Sequence, residues 1–177
     1  MFVDLAIGMV VYTATSYCTG HSFNLLFFII GLKFAFFPDL DFVPFILLRR
    51  RYNLASHHFI HFPLVLPTLG AAFWFFVTGG WYFPAMFFFG TMGHLIHDSF
   101  SHGGIRWLWP FSNEHYTFAG WRVAKAVRRK EIIERLTASA SHRSAIDEFL
   151  MRWEHPTAGS IAFLLTALAF LIIFISS

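Results

Sequence analysis

The chain has 177 residues, 56% of them hydrophobic, 20% aromatic and only 13% charged, with a formal net charge of +3 at pH 7. Soluble domains carry about 25% charged residues, so this composition excludes an ordinary soluble globular protein and points to the bilayer. The single Cys18 excludes an internal disulfide and any CxxC metal motif.

The N-terminus lacks the basic stretch of a cleavable signal and carries Asp4, so the first apolar run, about 3–18, is expected to remain as a span. A second run covers about 23–37, contains Lys33 and stops at Pro38, where the motif PDLD places Asp39 and Asp41. Residues 42–48 are apolar but broken by Pro44 and read as an interfacial or re-entrant piece, followed by Arg49, Arg50 and Arg51. The motif SHHFIHFP then brings His57, His58 and His61 to the start of a third run, about 60–78. Beyond Gly79 and Gly80, a fourth run over 81–99 ends on HLIHD, which carries His94, His97 and Asp98.

Between 119 and 154 the character changes. Basic residues from Arg122 to Arg152 alternate with Glu131, Glu134, Asp147 and Glu148, and apolar residues such as Val123, Val127, Ile132 and Leu136 recur at helical spacing. One or two amphipathic helices on the membrane surface are predicted, with a solvated basic face toward anionic headgroups. No nucleic-acid-binding motif accompanies the basic residues, so nucleic acid is not an expected partner. The final run, 157–175, is uncharged and is the clearest span of all.

The expectation is a single domain over 1–177: an all-α integral membrane protein with about five transmembrane helices and a cytoplasmic amphipathic segment. The positive-inside rule puts the triple arginine and the basic block in the cytoplasm, and the N-terminus with them. Asp4, Asp39, Asp41, His57, His58, His61, His94, His97 and Asp98 then all lie at the cytoplasmic ends of their helices, whereas His21 falls at the opposite end.

That convergence matters because unpaired carboxylates in apolar surroundings cost several kcal/mol. Asp39 and Asp41 repel each other unless a cation or an arginine neutralises them. His94 and Asp98, four apart on a helix, share a face, and His97 is near enough to join them. A divalent cation satisfies all of these groups at once. Each motif also has a plainer reading: a hydrogen-bonded His–Asp pair, turn chemistry at PDLD, or amphipathic surface at the histidine triplet.

The ordered combination of PDLD at 38–41, His61, His94 with Asp98, Gly103–Gly104 and LWPFS at 108–112 resembles the YdjM-type bacterial inner-membrane proteins, described as membrane-bound metal-dependent hydrolases. The resemblance covers roughly residues 4–118. It implies a helical membrane fold, a bacterial inner-membrane location and a metal-dependent hydrolytic site. The chain departs from the family pattern in three places. Asp4 stands where an early histidine is expected, the arginine and threonine of the second motif are absent, and Ser101 replaces a threonine after the fourth helix.

The metal ligands expected are Asp4, Asp39, Asp41, His57, His61, His94 and Asp98, with Asp39, Asp41, His94 and Asp98 carrying the chemistry. Arg106 and Ser101 are expected to bind substrate, and Glu114 and His115 are secondary acid–base candidates. A mixed Asp/His set suits zinc foremost, with manganese or iron as alternatives. The location at a membrane boundary suits membrane lipids as partners and a lipid-linked or amphiphilic ester, a phosphoester above all, as substrate. The competing readings are a metal or proton transporter, which needs polar groups through the whole membrane depth, and a scaffold with a structural metal, which needs a closed coordination shell. Oligomeric state is left open.

Overall fold

The computed structural model describes residues 2–41, 61–100, 105–112, 114, 116–118, 124–125 and 158–176. Among these are five α-helices: α1 (Phe2–Thr19), α2 (Leu25–Ala35), α3 (Leu66–Thr78), α4 (Tyr82–Ser99) and α5 (Ala158–Ser176). They fall where the five apolar runs predicted them. A 3₁₀ turn, Phe37–Asp41, follows α2. Two short antiparallel strands, β1 (Tyr116–Thr117) and β2 (Ala124–Lys125), pair Tyr116 with Lys125 and Thr117 with Ala124.

Local chemistry sets the helix bounds. Asn24 caps α2, its side-chain oxygen accepting from the Phe27 amide at 3.1 Å. α3 starts later than the apolar pattern suggests, at Leu66 rather than 60. Pro63 lies in the turn before it, and Pro67 sits in the first helical turn, where its missing N–H costs nothing. The helix ends on Gly79 at φ 67°, a left-handed cap that a residue with a Cβ adopts only under strain. His61 therefore stands in the segment leading into α3, not on the helix itself.

The amphipathic helix predicted from 119 is corrected at Ala124 and Lys125. Pairing with β1 makes these two residues a strand, because a tertiary backbone partner outweighs weak helical propensity. The rest of that segment lies outside the described residues.

α1 packs on α2, α4 and α5, and α4 packs on α1, α2 and α3, so α1 and α4 form the centre. Glycines permit the close approach: a Cβ on Gly8 would lie 2.9 Å from the Leu32 Cα, and one on Gly90 would lie 3.3 Å from the Ala35 nitrogen. Tyr12, Phe34, Tyr82, Met86, Phe87 and Leu171 fill the core between the helices. Outward faces stay apolar, with Leu69, Phe73 and Phe76 of α3 and Ile172 and Ile173 of α5 exposed. α1 and α5 are long and apolar enough to cross a bilayer. α2 and α3 have 11 and 13 residues, about 16 and 20 Å at 1.5 Å per residue, short of a hydrocarbon core of about 30 Å.

Candidate metal centre

Four separate stretches deliver polar side chains to one end of this bundle. Asp4 lies in the first turn of α1, where the positive end of the helix dipole favours an acid. Asp39 lies in the 3₁₀ turn after α2, its amide bonded to the Phe36 carbonyl at 3.1 Å. His61 precedes α3 and is buried. His94, His97 and Asp98 project from the last turns of α4, and His94 is fully buried. In the loop after α4, Trp107 bonds Ser99 and Trp109 stacks on Phe62, next to Asp98 and His61 in the chain.

His94 is the hub. Its Nε2 stands 3.3 Å from Asp98 Oδ2 and 3.5 Å from Asp39 Oδ1. Asp98 Oδ2 in turn stands 3.2 Å from His61 Nε2, and the two imidazole rings are 6.0 Å apart. On the other edge of the ring, His94 Nδ1 lies 3.0 Å from Asp4 Oδ1, which also bonds His97 Nδ1 at 3.1 Å. Donor atoms of Asp39, His61 and His94 all fall within 4.8 Å of one another.

These spacings fit a shared cation. Atoms about 2.1 Å from one ion stand about 3.0–3.4 Å apart in octahedral or tetrahedral shells; the contacts of His94 with Asp98 and Asp39, at 3.3 and 3.5 Å, are near that range, and the Asp39, His61 and His94 donors lie within 4.8 Å of one another. The hydrogen bonding points the same way. Neither ring nitrogen of His94 makes a directed hydrogen bond to a described residue, although carboxylates lie close to both. A buried imidazole without in-line partners is costly, and the Nε2 edge of the ring is the one nearest the carboxylates of Asp39 and Asp98. Among the described residues the Asp39 side chain is 58% exposed and that of His94 2%. The donors can thus hold a divalent cation from the protein side and leave its outer side accessible.

The remaining expected site residues fall as follows. Asp4 faces Nδ1 of His94, on the ring edge opposite the grouped donors. Of Asp41 only the backbone, within the 3₁₀ turn, is described. His57, His58, Ser101 and His115 lie outside the described residues. Arg106 lies in the loop after α4, and its Nε is buried without a hydrogen-bond partner among the described residues. Glu114 accepts a bond from Tyr116 at 3.4 Å and is not in the donor group. His21 stacks on Tyr82 at the far end, with ring centroids 4.5 Å apart.

Sequence reasoning missed the residues that hold the loop in place. Ser99 accepts on its hydroxyl from Trp107 Nε1 at 2.8 Å, and its carbonyl accepts from the Phe118 amide and the Thr117 hydroxyl at 2.8 and 3.0 Å. Trp109 stacks on Phe62, beside His61, with centroids 4.1 Å apart. These two tryptophans brace the neighbours of Asp98 and His61. The WP element eleven residues after Asp98 is the sequence signal for them.

The profile of the family described as YdjM inner membrane protein matches residues 2–177, which extends the resemblance through the basic segment and the last helix. The chain is 30% identical over 135 residues to the inner membrane protein YbcI of Escherichia coli (strain K12), covering 70% of this chain and 74% of that protein. No solved structure matches it. The chain belongs to the YdjM family of inner membrane proteins.

Proposed function

We propose that the protein is a membrane-embedded, metal-dependent hydrolase that cleaves a lipid-linked or amphiphilic ester, foremost a phosphoester, at the cytoplasmic face of the bacterial inner membrane. The observation that carries the reading is the convergence of Asp39, His61 and His94 within 4.8 Å, with His61 and His94 buried and Asp39 exposed. The nitrogen-rich donor set suits zinc, manganese or iron, with zinc preferred. Five spans with the N-terminus in the cytoplasm give the positive-inside arrangement of Arg49–Arg51 and the basic block.

When bound, such a cation supplies Lewis acidity and a water acidified to a pKa of about 7. The protein's share is positioning. His61 and His94 grip from the buried side, and Asp39 closes the rim where substrate arrives. Asp98, between the two histidines, is placed to accept a proton from the attacking water. Arg106 offers a guanidinium to a phosphate.

An apolar groove of about 510 Å³ between α1, α4 and α5 supports the lipid part. It runs from Thr19 and Trp81 to Ile7, Gly93 and Ile96, the last three within a turn of Asp4, His94 and His97. An acyl chain lying there would bring its polar end to the metal centre. Transport is the weaker reading, because Met86, Phe87 and Phe34 form an apolar layer next to the cluster instead of a polar path.

Elemental analysis of detergent-purified protein tests the proposal first. Near-stoichiometric zinc, manganese or iron, lost in Asp39→Ala and His94→Ala, together with turnover of lipid phosphoesters, supports it. Absence of any transition metal even after incubation with excess would overturn it.

A further inference from the structure

We propose that Asp4 and His97 form an outer brace for the metal centre, in which Asp4 Oδ1 holds His94 with Nδ1 protonated and the Nε2 lone pair turned to the cation. The inference rests on the metal-centre reading above and assigns Asp4 the role of a positioning residue instead of a ligand.

The geometry carries it. An imidazole binds metal through one nitrogen, and the hydrogen bond made by the other fixes its tautomer and orientation. Asp39 and Asp98 both address Nε2 of His94, and Asp4 addresses Nδ1, 3.0 Å away on the opposite ring edge. From there Asp4 cannot share a cation with the Nε2 donors without passing around the ring. It is instead placed as the carboxylate partner that metal-ligating histidines require.

His97 explains how Asp4 is kept there. One oxygen, Oδ1, serves both imidazoles, and the directed hydrogen bond goes to His97 at 3.1 Å. The approach to His94 Nδ1 is as short but off the N–H line, as expected when one oxygen lies between two rings. His97 thus fixes the carboxylate, and the carboxylate fixes His94. The i, i+3 spacing of the two histidines on α4 is what brings both rings to a single acid on α1.

Two measurements test the brace. In the first, zinc affinity of the purified full chain is measured by chelator competition. Asp4→Asn should bind zinc at the same stoichiometry but roughly 10–100-fold more weakly, the usual effect of losing an outer-shell partner. His97→Ala should weaken binding by a smaller factor, and His97→Gln, which keeps a donor, should restore most of it. Unchanged affinity in Asp4→Asn would overturn the brace while leaving the metal centre intact. Complete loss of zinc in Asp4→Asn, equal to that in Asp39→Ala, would make Asp4 a ligand and overturn it too. A wild type that binds no zinc would remove the metal-centre reading itself. The second measurement needs no variant: nitrogen NMR of histidine-labelled wild type should show His94 protonated at Nδ1 when zinc is bound. Protonation at Nε2 would overturn the brace even if Asp4→Asn fails to fold.

Discussion

At the end of the bundle where α1 finishes and α4 begins, Ser16 and Tyr82 share a hydroxyl hydrogen bond of 2.7 Å. Beside it, Tyr12 accepts from the Asn24 amide at 2.8 Å and donates to the Asn24 carbonyl at 3.2 Å. His21 there bonds Thr19 at 2.9 Å and stacks on Tyr82. At the other end, His94 sits among three carboxylates with no in-line bond to any described residue. Both ends bury polar side chains in an apolar bundle, and at the second Asp4 bonds His97 and Asp98 pairs with His61, which leaves His94 as the buried ring without an aligned bond among the described residues. A histidine with directed partners reads as structure; a histidine surrounded by acids at ligand spacing, with no aligned bond, is the arrangement on which the metal-centre proposal rests.

The sharpest way to break this contrast is to delete the hub. His94→Ala leaves the buried Asp4 without its closest ring partner and removes a central donor. The expected result is loss of bound metal and destabilisation of about 3–5 kcal/mol, the cost of stranding a buried charge, read from denaturant unfolding in detergent beside a metal assay. Zinc addition gives the next largest effect. At 100 times its dissociation constant it should raise wild-type stability by about 2.7 kcal/mol. Asp39→Ala should show almost none of this rise, and a chelator should reverse it in a thermal melt. A matching rise in Asp39→Ala would place the cation elsewhere.

At the far end the expected effects are smaller and independent of metal. Tyr82→Phe removes the partner of Ser16 and should cost about 1–2 kcal/mol, with the zinc stoichiometry of wild type. Asn24→Ala removes the α2 cap and should cost about 1 kcal/mol. His21→Ala should leave zinc binding unchanged, and a loss of metal there would erase the distinction between the two ends.

The helices were legible because apolar runs of spanning length leave few other folds in a bilayer. The pairing of His94 with Asp98 was legible too, because helical spacing alone puts them on one face. The choice of His61 depends on the turn at Pro63, which detaches it from the helix that the pattern extended through it. The position of Asp4 depends on how α1 packs against α4, and no local signal reports which nitrogen of a distant imidazole an acid will face. The β1–β2 pair was hidden for a similar reason: Ala124 and Lys125 become a strand only because Tyr116 and Thr117 lie alongside.

The dispersal of the centre also sets a timetable. Asp4 and His97 are 93 residues apart, and a ribosome delivers the N-terminal helix first. Asp4 must therefore enter the membrane long before its imidazoles exist. Its place in the first turn of α1, not mid-helix, keeps the carboxylate near headgroups and water during that wait. Under the metal-centre proposal, loading is then a late event in biogenesis: a truncated chain lacking α4 should bind no cation, and occupancy should report that the helices have found one another.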